Sequence, residues 1–159
     1  MAKESLGFIR FEPIKLEHIP RVLEIEKVSN GSPWSERAFQ NEINHENGIF
    51  LVAFAGDRIV GFAGVWLVID EAHITTIAVA PDARGHGVGR ALMIEVLTRS
   101  REKGMLCSTL EVRAGNKAAI ALYESLGYKT ISTRKAYYPD NKEDALVMWL
   151  YELEKWTPA

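Results

Sequence analysis

The spacing of apolar and polar residues predicts strands and helices mixed along the chain rather than grouped by type. Three β-type runs follow one another in the first half and predict consecutive antiparallel strands at 49–55, 58–68 and 73–79. Gly56 and Asp57 form a two-residue turn between the first two runs. A helical stripe of apolar positions then begins at Ala91, and Gly104 supplies its C-terminal stop.

Further elements are predicted on both sides of this segment. They are a strand at 8–11, helices at 17–28 and 36–43, a strand at 108–113, a helix at 117–126 and a closing strand pair at 128–138 and 144–153. Ser35 and Asn116 stand where they would cap helices, and Gly127 where it would end one.

The strand at 108–113 follows a helix, so it is expected to lie parallel to the strand at 73–79. The predicted fold class is therefore α/β of the α+β type. It has a mixed, mostly antiparallel central sheet with one parallel, splayed strand pair and flanking helices.

Composition narrows the class of protein. The 159 residues predict one domain, 1–159, and the 47% hydrophobic and 25% charged content is typical of a globular chain. A net charge of -2 gives no reason to expect nucleic-acid or membrane binding. The single cysteine, Cys107, excludes an internal disulfide and favours a reducing compartment. Without a signal peptide or a bilayer-spanning apolar run, the expected location is the cytoplasm.

The stretch from Ile74 to Leu97 predicts a strand, a glycine-rich turn and a helix. Such a turn exposes backbone N–H groups at the positive end of the helix dipole, which suits a phosphate or pyrophosphate. An NTPase loop is excluded because Gly89 is followed by Arg90 and Ala91 instead of Lys and Ser or Thr.

Three interpretations of the glycine turn stay open. A dinucleotide fingerprint would use Glu111 as its distant acid, but the glycines here are spaced one residue too tightly. The pattern Arg/Gln-x-x-Gly-x-Gly/Ala is met by Arg84, Gly87 and Gly89, and it resembles the coenzyme A loop of the GNAT acetyltransferases. A purely structural turn would need the same glycines.

Two side chains in the part of the chain that follows the glycine turn, those of Glu111 and Tyr123, could transfer protons. Glu111 points to the face opposite Leu110 and Val112 and could act as a general base. It could equally be an exposed carboxylate or a partner of Arg113. Tyr123 could be a general acid or a core aromatic at helical spacing.

Three aromatic residues could line a substrate groove. Tyr137 and Tyr138 lie near a predicted hairpin tip, where neighbouring strand residues point to opposite faces, so at most one would line a given site. Trp34 could be a core anchor or part of a ligand wall. The four histidines show no metal-ligand spacing and no Gly-x-Ser-x-Gly motif is present, so metal and covalent mechanisms are not expected.

Taken together, the motifs resemble the RimI-type enzymes of the GNAT superfamily along nearly the whole chain. The residues that carry this resemblance are Ser32-Pro33-Trp34-Ser35, Asp70-Glu71-Ala72, Ile77-Ala78-Val79, Leu110-Glu111-Val112-Arg113, Asn116, Ala121-Leu122-Tyr123-Glu124, Gly127-Tyr128, Arg134 with Tyr137-Tyr138, and Glu143-Asp144-Ala145. Enzymes of this type acetylate the N-terminal alanine of ribosomal small-subunit protein eighteen with acetyl-CoA.

The resemblance implies a role for each candidate residue. Glu111 would accept a proton, through water, and Tyr123 would protonate the departing thiolate. Backbone groups of Ile77, Ala78 and Val79 would pair with the pantetheine arm. Pyrophosphate would be held by Arg84, Gly85, His86, Gly87, Val88, Gly89 and Arg90, and Asn116 would contact the cofactor. The predicted substrate-binding residues are Trp34, Glu71, Tyr137 and Tyr138.

An α-amine substrate agrees with this chemistry, because its pKa near 7.7–8.0 leaves roughly a tenth of it neutral at pH 7, far more than of a lysine. The expected partner is a protein N terminus, with no nucleic acid, membrane or second subunit required. Alternatives are a broader N-terminal or small-amine acetyltransferase and a non-catalytic coenzyme A-binding module. A nucleotide-dependent oxidoreductase is disfavoured by the glycine spacing.

Overall fold

The computed structural model describes residues 6–158, which form seven strands and four α-helices. In chain order they are β1 Ile9–Pro13, α1 Ile19–Ser29, α2 Glu36–Gln40, β2 Gly48–Ala55, β3 Arg58–Val68, β4 Glu71–Val79, α3 Val88–Glu102, β5 Cys107–Arg113, α4 Lys117–Leu126, β6 Lys129–Arg134 and β7 Ala145–Leu150. Short 3-10 helices lie at Leu16–His18, Pro81–Ala83 and Leu153–Lys155. None of the helices in this part of the chain is long and apolar enough to cross a membrane.

The strands follow the order β1-β2-β3-β4-β5-β7-β6 in one sheet. β1 pairs antiparallel with β2, and β7 pairs antiparallel with both β5 and β6. β4 and β5 are parallel, and their register joins Glu71–His73 to Cys107–Thr109. The predicted fold class, mixed with one parallel pair, is confirmed.

The chain divides into two compact units, and the first comprises Met1–Val65 and Thr75–Val96. An aromatic cluster of Trp34, Phe39, Phe50 and Phe62 forms part of its core: Phe39 lies 5.2 Å from Trp34, 5.9 Å from Phe50 and 5.6 Å from Phe62 between ring centroids. Ser35 caps α2 as predicted, because its hydroxyl accepts a hydrogen bond from the backbone N–H of Ala38 at 3.1 Å.

The second unit comprises Trp66–Ile74 and Leu97–Ala159. The predicted caps of α4 are confirmed: Asn116 Oδ1 accepts from the N–H of Ala119 at 3.2 Å, and Gly127 ends the helix at φ 108°. Tyr128 is buried just beyond, and its hydroxyl lies 2.7 Å from Ser108 Oγ. Ser108 in turn donates to the carbonyl of Ala72 at 2.8 Å.

Several predicted boundaries were wrong: α2 was predicted to reach residue 43 but ends at Gln40, and β7 was predicted over 144–153 but spans Ala145–Leu150. α3 begins at Val88 rather than Ala91, and β4 begins at Glu71 rather than His73. The larger error concerns β6, which was predicted to reach Tyr138 but ends at Arg134. Its continuation is stopped because Ala136 adopts φ 50°, and the N–H of Ala136 donates to the Asp144 carboxylate at 2.9 Å instead of to a strand.

Candidate active site

The glycine turn of the first unit has a backbone that only glycine adopts easily. Gly85 and Gly87 have φ values of 81° and 80°. A Cβ added to Gly87 would meet nothing within 4 Å, so the backbone there faces open space. The turn therefore leaves room for a ligand to approach its N–H groups.

Helix α3 starts directly after this turn, and it is 15 residues long. The first backbone N–H groups of an α-helix have no carbonyl partner within the helix and lie at the positive end of its dipole, and α3 begins with Val88 and Gly89. The open backbone at Gly87 and this helix end together fit the pyrophosphate of a coenzyme A molecule.

Arg84 fixes the turn to its surroundings in the first unit. Its guanidinium donates to the carbonyl of Val79 at 3.2 Å and to the hydroxyl of Ser29 at 3.2 Å. Arg84 thus joins the end of β4 to the end of α1. The predicted residues Ile77, Ala78 and Val79 form the last part of β4, immediately before the turn.

Glu111 lies on β5 in the second unit, and about a third of its side chain is exposed (32%). Arg134 Nε lies 3.6 Å from Glu111 Oε1. A hydrogen bond from Tyr137 to Glu111 raises the pKa of the Tyr137 hydroxyl. The sequence also allows Arg113 as a partner of Glu111. In the structure the ion-pair partner of Glu111 is Arg134, and Arg113 pairs with Asp140 and Glu143.

Tyr123 on α4 is buried, and its ring packs edge-on against Tyr128 with 5.9 Å between centroids. Burial, with a smaller contribution from the charge of Tyr138, raises the pKa of Tyr123 to about 12. Burial also raises the pKa of Tyr138, against the opposing charge of Arg113, and the charge of Glu111 adds to this rise. Both phenols are therefore neutral at physiological pH.

Both tyrosines of the pair lie in the loop 135–144 after β6, here named the tyrosine loop. Their rings meet at 82° with 5.2 Å between centroids. Because neither residue is in a strand, the alternation of strand side chains does not apply to this pair. Tyr137 donates a hydrogen bond to Glu111, while the ring of Tyr138 lies 4.0 Å below the guanidinium of Arg113.

Arg113 holds the tyrosine loop, a role that the sequence did not reveal. Its two terminal nitrogens each donate to one carboxylate oxygen of Asp140 at 3.1 Å, and its charge lies 4.0 Å above the ring of Tyr138. Glu143 is 3.5 Å from the same guanidinium and accepts from the N–H of Gly115 at 2.7 Å. Although partial burial acts against its charge, Asp140 raises the pKa of Arg113.

We expect Arg113→Gln to raise the KM for the acceptor substrate about fivefold, since a loop held by a bidentate, charge-assisted pair becomes mobile without it. The KM for acetyl-CoA should change little. Arg10→Gln is the matched control, because Arg10 also combines an ion pair, with Glu12 at 3.0 Å, with a ring contact, to Phe54 at 4.4 Å, but in the first unit. Steady-state kinetics of both variants checks this prediction. An equal rise of the acceptor KM in Arg113→Gln and Arg10→Gln would contradict it.

The remaining predicted residues are spread over the chain. Trp34 is partly exposed and packs on Phe39. Glu71 is the first residue of β4, and its Oε1 lies 2.8 Å from Nε2 of His73. Glu71 is paired in register with Cys107 of β5, and Cys107 lies about 13 Å along that strand from Glu111, four residues later. Asn116 uses its Oδ1 as a helix cap. Within residues 6–158, no group of three or more His, Cys, Asp or Glu side chains could hold a metal ion.

Comparison with known proteins identifies the family. The model of the acetyltransferase (GNAT) family matches residues 19–128. The [ribosomal protein bS18]-alanine N-acetyltransferase of Escherichia coli K12 is 40% identical over 134 residues, 83% of this chain and 90% of that protein. Its Haemophilus influenzae counterpart is 36% identical over 82% of this chain and 90% of its own length.

Solved structures give the same result. The crystal structure of the ribosomal-protein-S18-alanine N-acetyltransferase from Escherichia coli superposes with a TM-score of 0.84 at 35% identity, covering 91% of this chain and 94% of that one. Ard1 from Thermoplasma volcanium superposes with a TM-score of 0.82 at 29% identity, covering 90% and 97%. The predicted activity class and its cosubstrate acetyl-CoA are thereby confirmed, and the chain belongs to the GNAT family of acetyltransferases.

Proposed function

We propose that this protein transfers the acetyl group of acetyl-CoA to the N-terminal α-amine of a protein, and that its substrate is the N-terminal alanine of ribosomal protein bS18. One observation carries the proposal. The chain is 40% identical over 134 residues to an enzyme of that name, and its second unit holds a partly exposed carboxylate, Glu111, and a buried phenol, Tyr123.

Glu111 acts as the proton acceptor for the amine. An α-amine loses its proton near pH 7.7–8.0, so a single carboxylate that relays the proton through water is sufficient, whereas a lysine would require about 3 kcal/mol more. Arg134 and Tyr137 hold the carboxylate in one position, through an ion pair at 3.6 Å and a hydrogen bond.

Tyr123 acts on the departing sulfur. With a pKa of about 12 the phenol keeps its proton throughout the physiological range, so it is always a hydrogen-bond donor. A free thiolate is a weaker base, with a pKa near 8.5, and full proton transfer from Tyr123 to such a thiolate in water would be uphill. Desolvation raises the pKa of the thiolate as well and narrows this difference, and the hydrogen bond from Tyr123 stabilises the negative charge that develops on the sulfur.

Most of the residues proposed to bind the cosubstrate belong to the first unit. Gly85–Arg90 hold the pyrophosphate with backbone N–H groups, and Ile77–Val79 pair with the pantetheine arm. Acetyl-CoA supplies an acetyl group already activated as a thioester. Asn116 contacts it through Nδ2, since Oδ1 caps α4. The residues proposed to contact the protein substrate are Trp34, Glu71, Tyr137 and Tyr138.

Gly87→Ala should weaken acetyl-CoA binding about tenfold, because the new Cβ both strains a positive φ and occupies the space that the pyrophosphate needs. Gly104→Ala is a matched control at the other end of α3. Gly104 also has a positive φ, 87°, and open space around it, so both variants should lose about 1–2 kcal/mol of stability. Calorimetric titration checks the prediction, and equal affinities would refute it.

Release of free thiol from acetyl-CoA tests the proposed function. One peptide copies the N terminus of ribosomal protein bS18 with its α-amine free; a second has the α-amine blocked and keeps a lysine. We expect release with the first peptide only. Release with both would favour a general amine acetyltransferase. Acetyl-CoA binding without any turnover would favour a coenzyme A-binding module.

In this proposal residues 1–159 form one domain that acts as a monomer in the cytoplasm. It makes no direct contact with nucleic acid or membrane. The net charge of -2 supports the absence of nucleic-acid binding. Light scattering with purified protein at working concentration tests the monomer, and a mass of twice 17.8 kDa would overturn it.

A further inference from the structure

Thr75 on β4 carries a buried polar atom that the fold does not use. Its Oγ1 has no hydrogen-bond partner among residues 6–158. A buried hydroxyl without a partner destabilises a protein by about 1–3 kcal/mol, so such groups are rare unless a ligand or water satisfies them. Thr109 on β5 shows the usual arrangement, since its hydroxyl donates to the carbonyl of Met148 at 3.0 Å.

The surroundings of Thr75 in the first unit are aromatic. A Cβ placed on Gly64 would lie 2.9 Å from Thr75 Oγ1 and 2.8 Å from the ring of Phe50, so the hydroxyl and the ring meet above the same glycine. Phe50 stacks on Phe62 with 5.8 Å between centroids and belongs to the aromatic cluster that ends at the partly exposed Trp34. A hydroxyl among aromatic side chains is the kind of polar group that fixes the orientation of a ligand in a mostly apolar site.

The position of Thr75 along β4 places it near the reacting end of the cosubstrate. The glycine turn follows the C-terminal end of β4, so a pantetheine arm that runs back along Ile77–Val79 brings its thioester towards Ile77. Thr75 is two residues further in the same direction, about 7 Å along the strand, and faces the same side of the sheet. The group beyond the thioester is the end of the amine substrate.

We infer that the Thr75 hydroxyl donates a hydrogen bond to a backbone carbonyl at the N-terminal end of the peptide substrate, beside the aromatic cluster. This inference rests on the proposed function. The bond satisfies the hydroxyl only when substrate is bound, so the free enzyme is less stable than it would be with an apolar residue of the same shape. Thr75 is therefore a specificity-determining residue for peptides.

Thr75→Val separates this role from a structural one, because it removes the hydroxyl and keeps the shape. We expect a melting temperature about 2–4 °C higher, since an unsatisfied group is removed. We also expect kcat/KM for the bS18-type peptide to fall about tenfold, mainly because KM rises, since one hydrogen bond to the substrate is lost. The affinity for acetyl-CoA should not change. Thr75→Ser should restore the wild-type value.

Thr109→Val serves as the control for the stability measurement, since it breaks a satisfied hydrogen bond and should lower the melting temperature. Wild-type kcat/KM in Thr75→Val, or a lower melting temperature, would overturn the assignment while leaving the proposed function intact. If the wild-type enzyme binds acetyl-CoA but acetylates no peptide, both the proposed function and the role of Thr75 fall.

Discussion

Glu111→Gln should lower kcat by about 10²–10⁴, the usual contribution of a positioned general base. Glutamine keeps the size of the side chain and can still accept a hydrogen bond from Tyr137, so the fold and the tyrosine loop should be preserved. It cannot take a proton from the amine. Acetyl-CoA affinity should remain that of the wild type, since Glu111 does not bind the cosubstrate.

The pH dependence makes this test sharper. In Glu111→Gln only substrate whose α-amine is already neutral can react. The rate of this variant should therefore rise with pH through the α-amine pKa near 7.7–8.0, and its difference from the wild-type rate should become smaller above that pH. Arg134→Gln is the control: it removes the cation that lies 3.6 Å from Glu111 but keeps the carboxylate, and should cost far less than the loss of Glu111 itself. Wild-type turnover by Glu111→Gln at pH 7 would contradict the assignment.

Tyr123→Phe is the second large effect that we expect, with kcat about 10²-fold lower because the departing sulfur loses its hydrogen-bond donor. The ring and its packing against Tyr128 are retained. In the wild-type enzyme the phenol keeps its proton up to a pKa of about 12, so kcat should stay level between about pH 8 and pH 10, where an ordinary tyrosine already titrates.

Tyr128→Phe is the matched control for that variant. Tyr128 is also a buried phenol on the same unit, but its hydroxyl contacts Ser108, at 2.7 Å. Its loss should lower stability by about 1 kcal/mol and leave kcat close to the wild-type value. Equal losses of kcat in the two phenylalanine variants, at matched acetyl-CoA binding, would show that Tyr123 is structural.

Burial of Tyr123 also predicts a change in stability with pH. Its folded-state pKa of about 12 lies above the unfolded value near 10, so the neutral phenol stabilises the fold fully below pH 10. This contribution, about 3 kcal/mol, is lost as pH rises from about 10 through 12. Urea unfolding over that range should show a smaller loss for Tyr123→Phe than for the wild type.

Local features were predictable because their causes lie within a few residues. Ser35, Asn116 and Gly127 cap their helices as predicted, since a cap needs only one side chain or one glycine next to a helical segment. The glycine turn could likewise be located from its spacing. The parallel strand pair followed from a helix that connects two strands, for which the connection rules leave few choices.

Side-chain partners across the chain were not predictable in the same way. The choice of Arg134 over Arg113 as the partner of Glu111 depends on where β6 ends, and that depends on the Asp144 carboxylate taking the N–H of Ala136. Arg113 is drawn instead to Asp140, 27 residues away. The unpartnered hydroxyl of Thr75 was invisible for the same reason, since satisfaction of a hydrogen bond depends on neighbours from other strands.

The central claim is that the acetyl group goes to a protein α-amine, and one measurement tests it most directly. A peptide that begins with alanine and contains an internal lysine is incubated with the enzyme and acetyl-CoA, and tandem mass spectrometry locates the added acetyl group. We predict a single acetyl group on the nitrogen of the first residue. Acetylation of the lysine in preference to the α-amine would contradict the account.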